Sequence, residues 1–112
     1  MELQFSEIND LRLIKLIGRL DAAGFNNIDL KFTAHCSGNN VRVLVDLSEV
    51  NFLASIGIRL LTMNARSLST RSGKMVLFGP IPEVKSVLDM TGISAIIPMY
   101  EKRESAEAVL MA

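Results

Sequence analysis

The chain has no tryptophan, one tyrosine, one cysteine and one histidine among its 112 residues. A lone Cys36 closes no intramolecular disulfide, so packing alone must hold the domain together, and a reducing compartment fits best. His35 and Cys36 are neighbours, but they are too few ligands for a zinc site. They read as a helix-end histidine and a small buried thiol. Charge of one sign is also missing. Twelve acids cancel twelve bases, which argues against nucleic acid or an anionic membrane surface as a partner. No apolar run reaches the roughly eighteen residues of a membrane span, and "MELQFSEIND" lacks the basic-then-apolar plan of a signal peptide. "GPIP" and "SGNN" do not have the spacing of a phosphate-binding glycine loop. The expectation is a cytoplasmic, soluble domain that needs no cofactor or metal and does not insert into a membrane.

What the chain does have is aliphatic content. Hydrophobic residues make up 49% and charged ones 21%, a globular balance at a length that suits one domain over residues 1–112. With five phenylalanines the only other aromatics, the core must be built from residues such as Leu44, Val45, Leu61, Leu68 and Ile96. Each contributes roughly 1.5–3 kcal/mol if fully buried.

The periodicity alternates between strand and helix. Met1 to Phe5 can pair across "SEIND" with a strand in "LRLIKLIGRL" that Gly18 interrupts. Phe25, Ile28 and Phe32 fall at helical spacing, with Cys36 one turn on, and Gly38, Asn39 and Asn40 form a turn. "VRVLVDL" reads as a central strand over Val41–Val45, buried on both faces. A helix from Ile56 to Arg71 carries the stripe Ile58, Leu61, Ala65 and Leu68, and a strand follows over Lys74–Phe78. Pro82 opens a short helix with Val84, Val87 and Leu88, which Gly92 ends. "AIIPMY" reads as a last strand, and Ser105 as the N-cap of a helix over Ala106–Met111. The order β-β-α-β-α-β-α-β-α predicts an α/β domain with a mostly parallel central sheet and helices packed against it.

One position stands apart. In "DLSEVNFLASIGIRLL" an apolar corner leads to Ser55, with Gly57 two residues on and the helix beginning there. A serine at a helix start is most simply an N-cap, worth about 1 kcal/mol. As a nucleophile it lacks a base, since His35 has no evident orienting partner and the G-x-S-x-G elbow is absent. At about 100° per residue, Ile56, Leu60 and Met63 group on the flank opposite the core stripe. They form either a docking patch beside Ser55 or a surface covered by the preceding helix. Arg59 and Arg66 lie on an exposed flank that could meet an acidic partner.

"GRLDAA", "VRVLVDLSEVNFLASIGIRLL" and "GPIPEVKSVLDMTGISAIIPMYEKRESAEAVL" together resemble the STAS domain, most nearly the stand-alone bacterial anti-sigma factor antagonists. The likeness runs from about Leu11 to Leu110. It implies a protein-interaction module, not an enzyme, that binds an anti-sigma factor which is also a serine kinase of the histidine-kinase-like ATPase type. It further implies that phosphorylation of the serine matching Ser55 ends the interaction, and that a serine phosphatase resets it. Asp21 matches an acid that the family places near the partner surface; otherwise it is the N-cap of the first helix. Family members commonly have Asp before the serine and Ser or Thr after it, where this chain has Ala54 and Ile56. On the resemblance, partner contact falls to Asp21, Ser55, Ile56, Gly57, Leu60 and Met63. The alternative is a constitutive STAS scaffold in a transport or signalling assembly; a homodimer is compatible with either.

Overall fold

A computed structural model describes residues 1–112. The elements run β1 (Glu2–Ile8), β2 (Leu11–Leu20), α1 (Ala22–His35), β3 (Arg42–Leu53), α2 (Ser55–Ser69), β4 (Lys74–Phe78), α3 (Pro82–Thr91), β5 (Met99–Tyr100) and α4 (Arg103–Met111). Element order and type follow the alternating periodicity. The strands lie side by side in chain order, β1 antiparallel to β2 and the rest parallel. Such a sheet requires a crossover after each parallel strand, and α1, α2 and α3 supply them on one face. The last helix, α4, covers the other.

Alternation along the central strand builds the two cores. Val43, Val45 and Leu47 of β3 point to the three-helix face, where they meet Ile28 and Phe32 of α1, Leu61 and Leu68 of α2, and Val84 and Leu88 of α3. Leu44 points the other way and joins Leu11, Val76, Phe78, Ala106 and Leu110 under α4. Cys36 is buried with the larger core, and its thiol is pushed up to about 12 by that burial.

Four local expectations differ from the structure. β3 does not stop at Val45. It continues to Leu53, pairing Glu49 with Ile17 and Leu53 with Leu20 through two register shifts, each with the extra residue on β3, so the apolar corner is strand and not loop. β5 shrinks to two residues because Gly92, at φ 71°, turns the chain into a 3₁₀ turn over Ile93–Ala95. There Ile96 N–H bonds Ile93 C=O at 2.8 Å, Ile93 and Ile97 are buried, and Ile96 is left outside. Ser105 does not cap α4. The helix begins at Arg103 with Lys102 as N-cap, and Arg103 reaches Glu107 one turn on at 2.8 Å. Ala54, not Ser55, is the N-cap of α2.

The C-terminal end of α1 is held by two arginines. Arg12 of β2 donates to the carbonyls of His35 at 2.8 Å and Ser37 at 2.9 Å. Arg71, just past α2, donates to those of Cys36 at 2.7 Å and Gly38 at 2.8 Å. Charged donors satisfy carbonyls that a helix end would otherwise leave to water. The far ends of α1 and α2 are thereby tied together.

Candidate functional site

The candidate residues converge where β2 and β3 end and α1 and α2 begin. Ala54 N–H bonds Leu20 C=O at 3.0 Å, which joins the two strand ends and brings Asp21 and Ser55 to the same edge. Asp21 is the N-cap of α1, its Oδ1 accepting from Gly24 N–H at 2.8 Å. That backbone bond, with Arg19 Nε at 3.3 Å on Oδ2, holds its carboxyl below the usual range. The Arg19 guanidinium also lies 4.2 Å from the centre of the Phe52 ring, and Phe52 is half exposed. Neither residue was singled out by sequence; two positions on separate strands show no common periodicity.

Ser55 is exposed and is the first residue of α2. Its hydroxyl makes no hydrogen bond within the protein, so the N-cap reading of this serine does not hold. Ala54 has no side chain able to cap. The N–H groups of Gly57 and Ile58 both go to Ala54 C=O, at 3.0 and 3.3 Å. Those of Ser55 and Ile56 find no acceptor in the chain. The helix thus begins with free donors under a free hydroxyl, at the end where the helix dipole favours negative charge. Ser55 and the single histidine lie at opposite ends of the helical layer. His35 closes a 14-residue α1 and stacks on Phe5 at 3.8 Å, about 21 Å of helix away from Asp21.

The remaining candidates divide by burial. Gly57 is buried because α2 starts hard against the strand ends. A Cβ there would lie 2.5 Å from Leu20 Cγ and 2.8 Å from Leu53 Cδ1. Leu60 is buried as well, since α1 packs on that flank of α2; a helical wheel of α2 alone cannot show this neighbour. Gly57 therefore offers no exposed contact surface, and Leu60 is reached only through the cleft between the two helices. Ile56 is half-buried and Met63 is 59% exposed. Between the two helices these residues line a cleft of about 330 Å³, with Phe25, Asp29, Arg59 and Asn64 also in its walls. Phe25 and Asn64 were legible only as helix positions, one on each helix.

The profile of the STAS domain family matches residues 2–106, and the chain belongs to that family. BtrV of Bordetella bronchiseptica, described as a candidate anti-sigma factor antagonist, is 27% identical over 108 residues, covering 96% of this chain and 93% of BtrV. An anti-sigma factor antagonist from Mycobacterium paratuberculosis superposes with TM-score 0.90 at 18% identity, over 99% of this chain and 94% of its own. The anti-sigma factor antagonist SpoIIAA, unphosphorylated, gives 0.79 at 21% identity over 99% and 98%. Bacillus SpoIIAA in its phosphorylated form gives 0.71 at 21% identity over 96% and 99%. The chain shares its fold with these anti-sigma factor antagonists. None of its helices is long and apolar enough to cross a membrane.

Proposed function

We infer that the chain is an anti-sigma factor antagonist. It docks an anti-sigma factor over the edge formed by Asp21, Phe52 and the start of α2, and so regulates sigma-factor-dependent transcription. Phosphorylation of Ser55 by that partner, a serine kinase, ends the complex. Ser55 Oγ takes the γ-phosphoryl group of ATP held by the kinase, releasing ADP and a proton, and a serine phosphatase hydrolyses the ester. The chain does no chemistry of its own. The observation that carries this reading is the exposed, unbonded Ser55 hydroxyl at the first position of α2.

A phosphate brings roughly −1.5 to −2 charges at neutral pH and strong acceptor oxygens. The free N–H groups and the dipole at the start of α2 suit such a group without unfolding the helix. Its charge and bulk then fall on the docked partner. A loss of roughly 3–4 kcal/mol there weakens binding several hundred-fold, enough for a switch.

The test is intact-mass spectrometry and phosphosite mapping of the protein from its native cell, with a Ser55→Ala control and capture of the bound kinase. One phosphate on Ser55 that varies with growth conditions, and a kinase held only by the bare form, are the expected results. A Ser55 that stays bare while the kinase is active refutes the switch. Ala54 and Ile56, in place of the family's usual acid and hydroxyl residues, lend weight to a second reading, the constitutive STAS scaffold, which would lead under that outcome.

A further inference from the structure

The cleft between α1 and α2 has walls of unequal chemistry. Its apolar part is made by Phe25, Ile56, Leu60 and Met63. Thr33 and Asp29 on α1 and Arg59 on α2 add polar groups from opposite helices, and neither Asp29 nor Arg59 forms a side-chain ion pair or hydrogen bond within the chain. Asn64, only 7% exposed, contributes to the wall as well. Its Nδ2 donates to Leu60 C=O at 3.0 Å and to Thr33 Oγ1 at 3.4 Å. Its Oδ1 accepts nothing, and it is not sealed from the cleft. Open to the cleft, it is met by water in the free chain and is available to a donor from an incoming group.

We propose that this cleft is the socket for one large apolar side chain of the partner protein, presented on a helix between a basic and an acidic residue. The inference rests on the antagonist reading. The base pairs with Asp29, the acid with Arg59, and a donor from the partner reaches Asn64 Oδ1. The two opposite and unpaired charges select a polypeptide carrying both signs. A fatty acid or other simple anion would meet Arg59 but be repelled by Asp29. The volume suits a single anchor, in the manner of a helix laid along a groove. Met63, flexible and exposed, can shape itself to that anchor. Ile56 lines the socket and directly follows Ser55, so a seated partner lies beside the hydroxyl that phosphorylation would alter.

The experiment titrates the purified kinase captured with the bare chain against wild type and two variants. Thr33→Trp fills the socket from an exposed position, and Asp29→Lys/Arg59→Glu exchanges the charges without changing their sum. Thermal melts check that both fold. Each variant is expected to lose at least about tenfold in affinity, while Lys102→Ala, next to α4 on the other side of the sheet, binds as wild type does. In the wild-type complex the Asn64 side-chain amide resonances shift. Both variants binding within twofold of wild type would overturn the socket and leave the antagonist reading standing. No binding of the kinase by the bare wild-type chain would overturn both. A small organic molecule that co-purifies in the cleft and survives kinase binding would also overturn the socket.

Discussion

Replacing Gly57 by alanine tests how α2 is seated. The added methyl would lie 2.5 Å from Leu20 Cγ, 2.7 Å from Leu20 Cδ2 and 2.8 Å from Leu53 Cδ1, far inside van der Waals contact. Neither leucine can swing away, since Leu20 is 0% exposed and Leu53 5%. Overpacking of this kind costs about 1–3 kcal/mol. Alanine recovers up to about 1 kcal/mol of helix propensity, and less in a first turn. The net loss is about 1–2 kcal/mol, which lowers Tm by about 4–8 °C in a domain of this size. Differential scanning calorimetry of wild type, Gly57→Ala, Leu20→Ala and the double variant reads this directly. Truncating Leu20 removes the obstruction, so the double variant must be destabilised by less than the sum of the singles. A Gly57→Ala protein that melts at or above wild type, or strictly additive losses, would refute the account.

Ser55→Ala should leave the melting temperature within about 2 °C, because its hydroxyl bonds nothing and surface changes of this kind stay within about 0.5 kcal/mol; a larger drop would reinstate Ser55 as a cap. Ala54→Asp should raise stability by about 1 kcal/mol in urea titrations, since the extended backbone at this N-cap suits a capping side chain. Asp21→Ala should lower Tm at pH 7. The folded carboxyl titrates below its ordinary value of 3.8, so the stability it adds is complete above that value and disappears as pH falls through the lower folded value. The gap between Asp21→Ala and wild type must therefore narrow in acid, and a gap unchanged at pH 2 would refute the capping bond. Cys36, its thiol pushed up to about 12, should react with iodoacetamide at pH 8 at least about a hundredfold more slowly in the folded chain than in urea.

The parallel sheet and its helical crossovers were legible because Val43, Val45 and Leu47 and the stripe Leu61, Ala65, Leu68 follow the two periods that burial imposes. Where tertiary contacts decide, the pattern ran out. Leu60 reads as an outer-flank residue until α1 is placed beside it. "AIIPMY" reads as a short apolar strand, but the left-handed Gly92 turns the chain before it can extend. Glu49 to Phe52 look like a corner, yet β3 absorbs an extra residue at each of two register shifts and pairs with β2 as far as Leu53. At the candidate site the family pattern found Asp21 and Ser55. The Arg19–Phe52 stack and the facing pair Asp29 and Arg59 join residues from separate elements, and only the assembled fold puts them together.

The arginines that bind the carbonyls at the end of α1 close the helical layer at the end away from the serine. Arg71 ties the chain after α2 to the chain after α1. At the other end Ala54 N–H holds Leu20 C=O, and Gly57 sits hard against Leu20 and Leu53. The two helices are therefore fixed at both ends, like rungs between two rails. The gap between Phe25 and Met63 keeps a set width, and a docked partner is accommodated by side chains such as the exposed Met63 while the backbone under Ser55 stays in place.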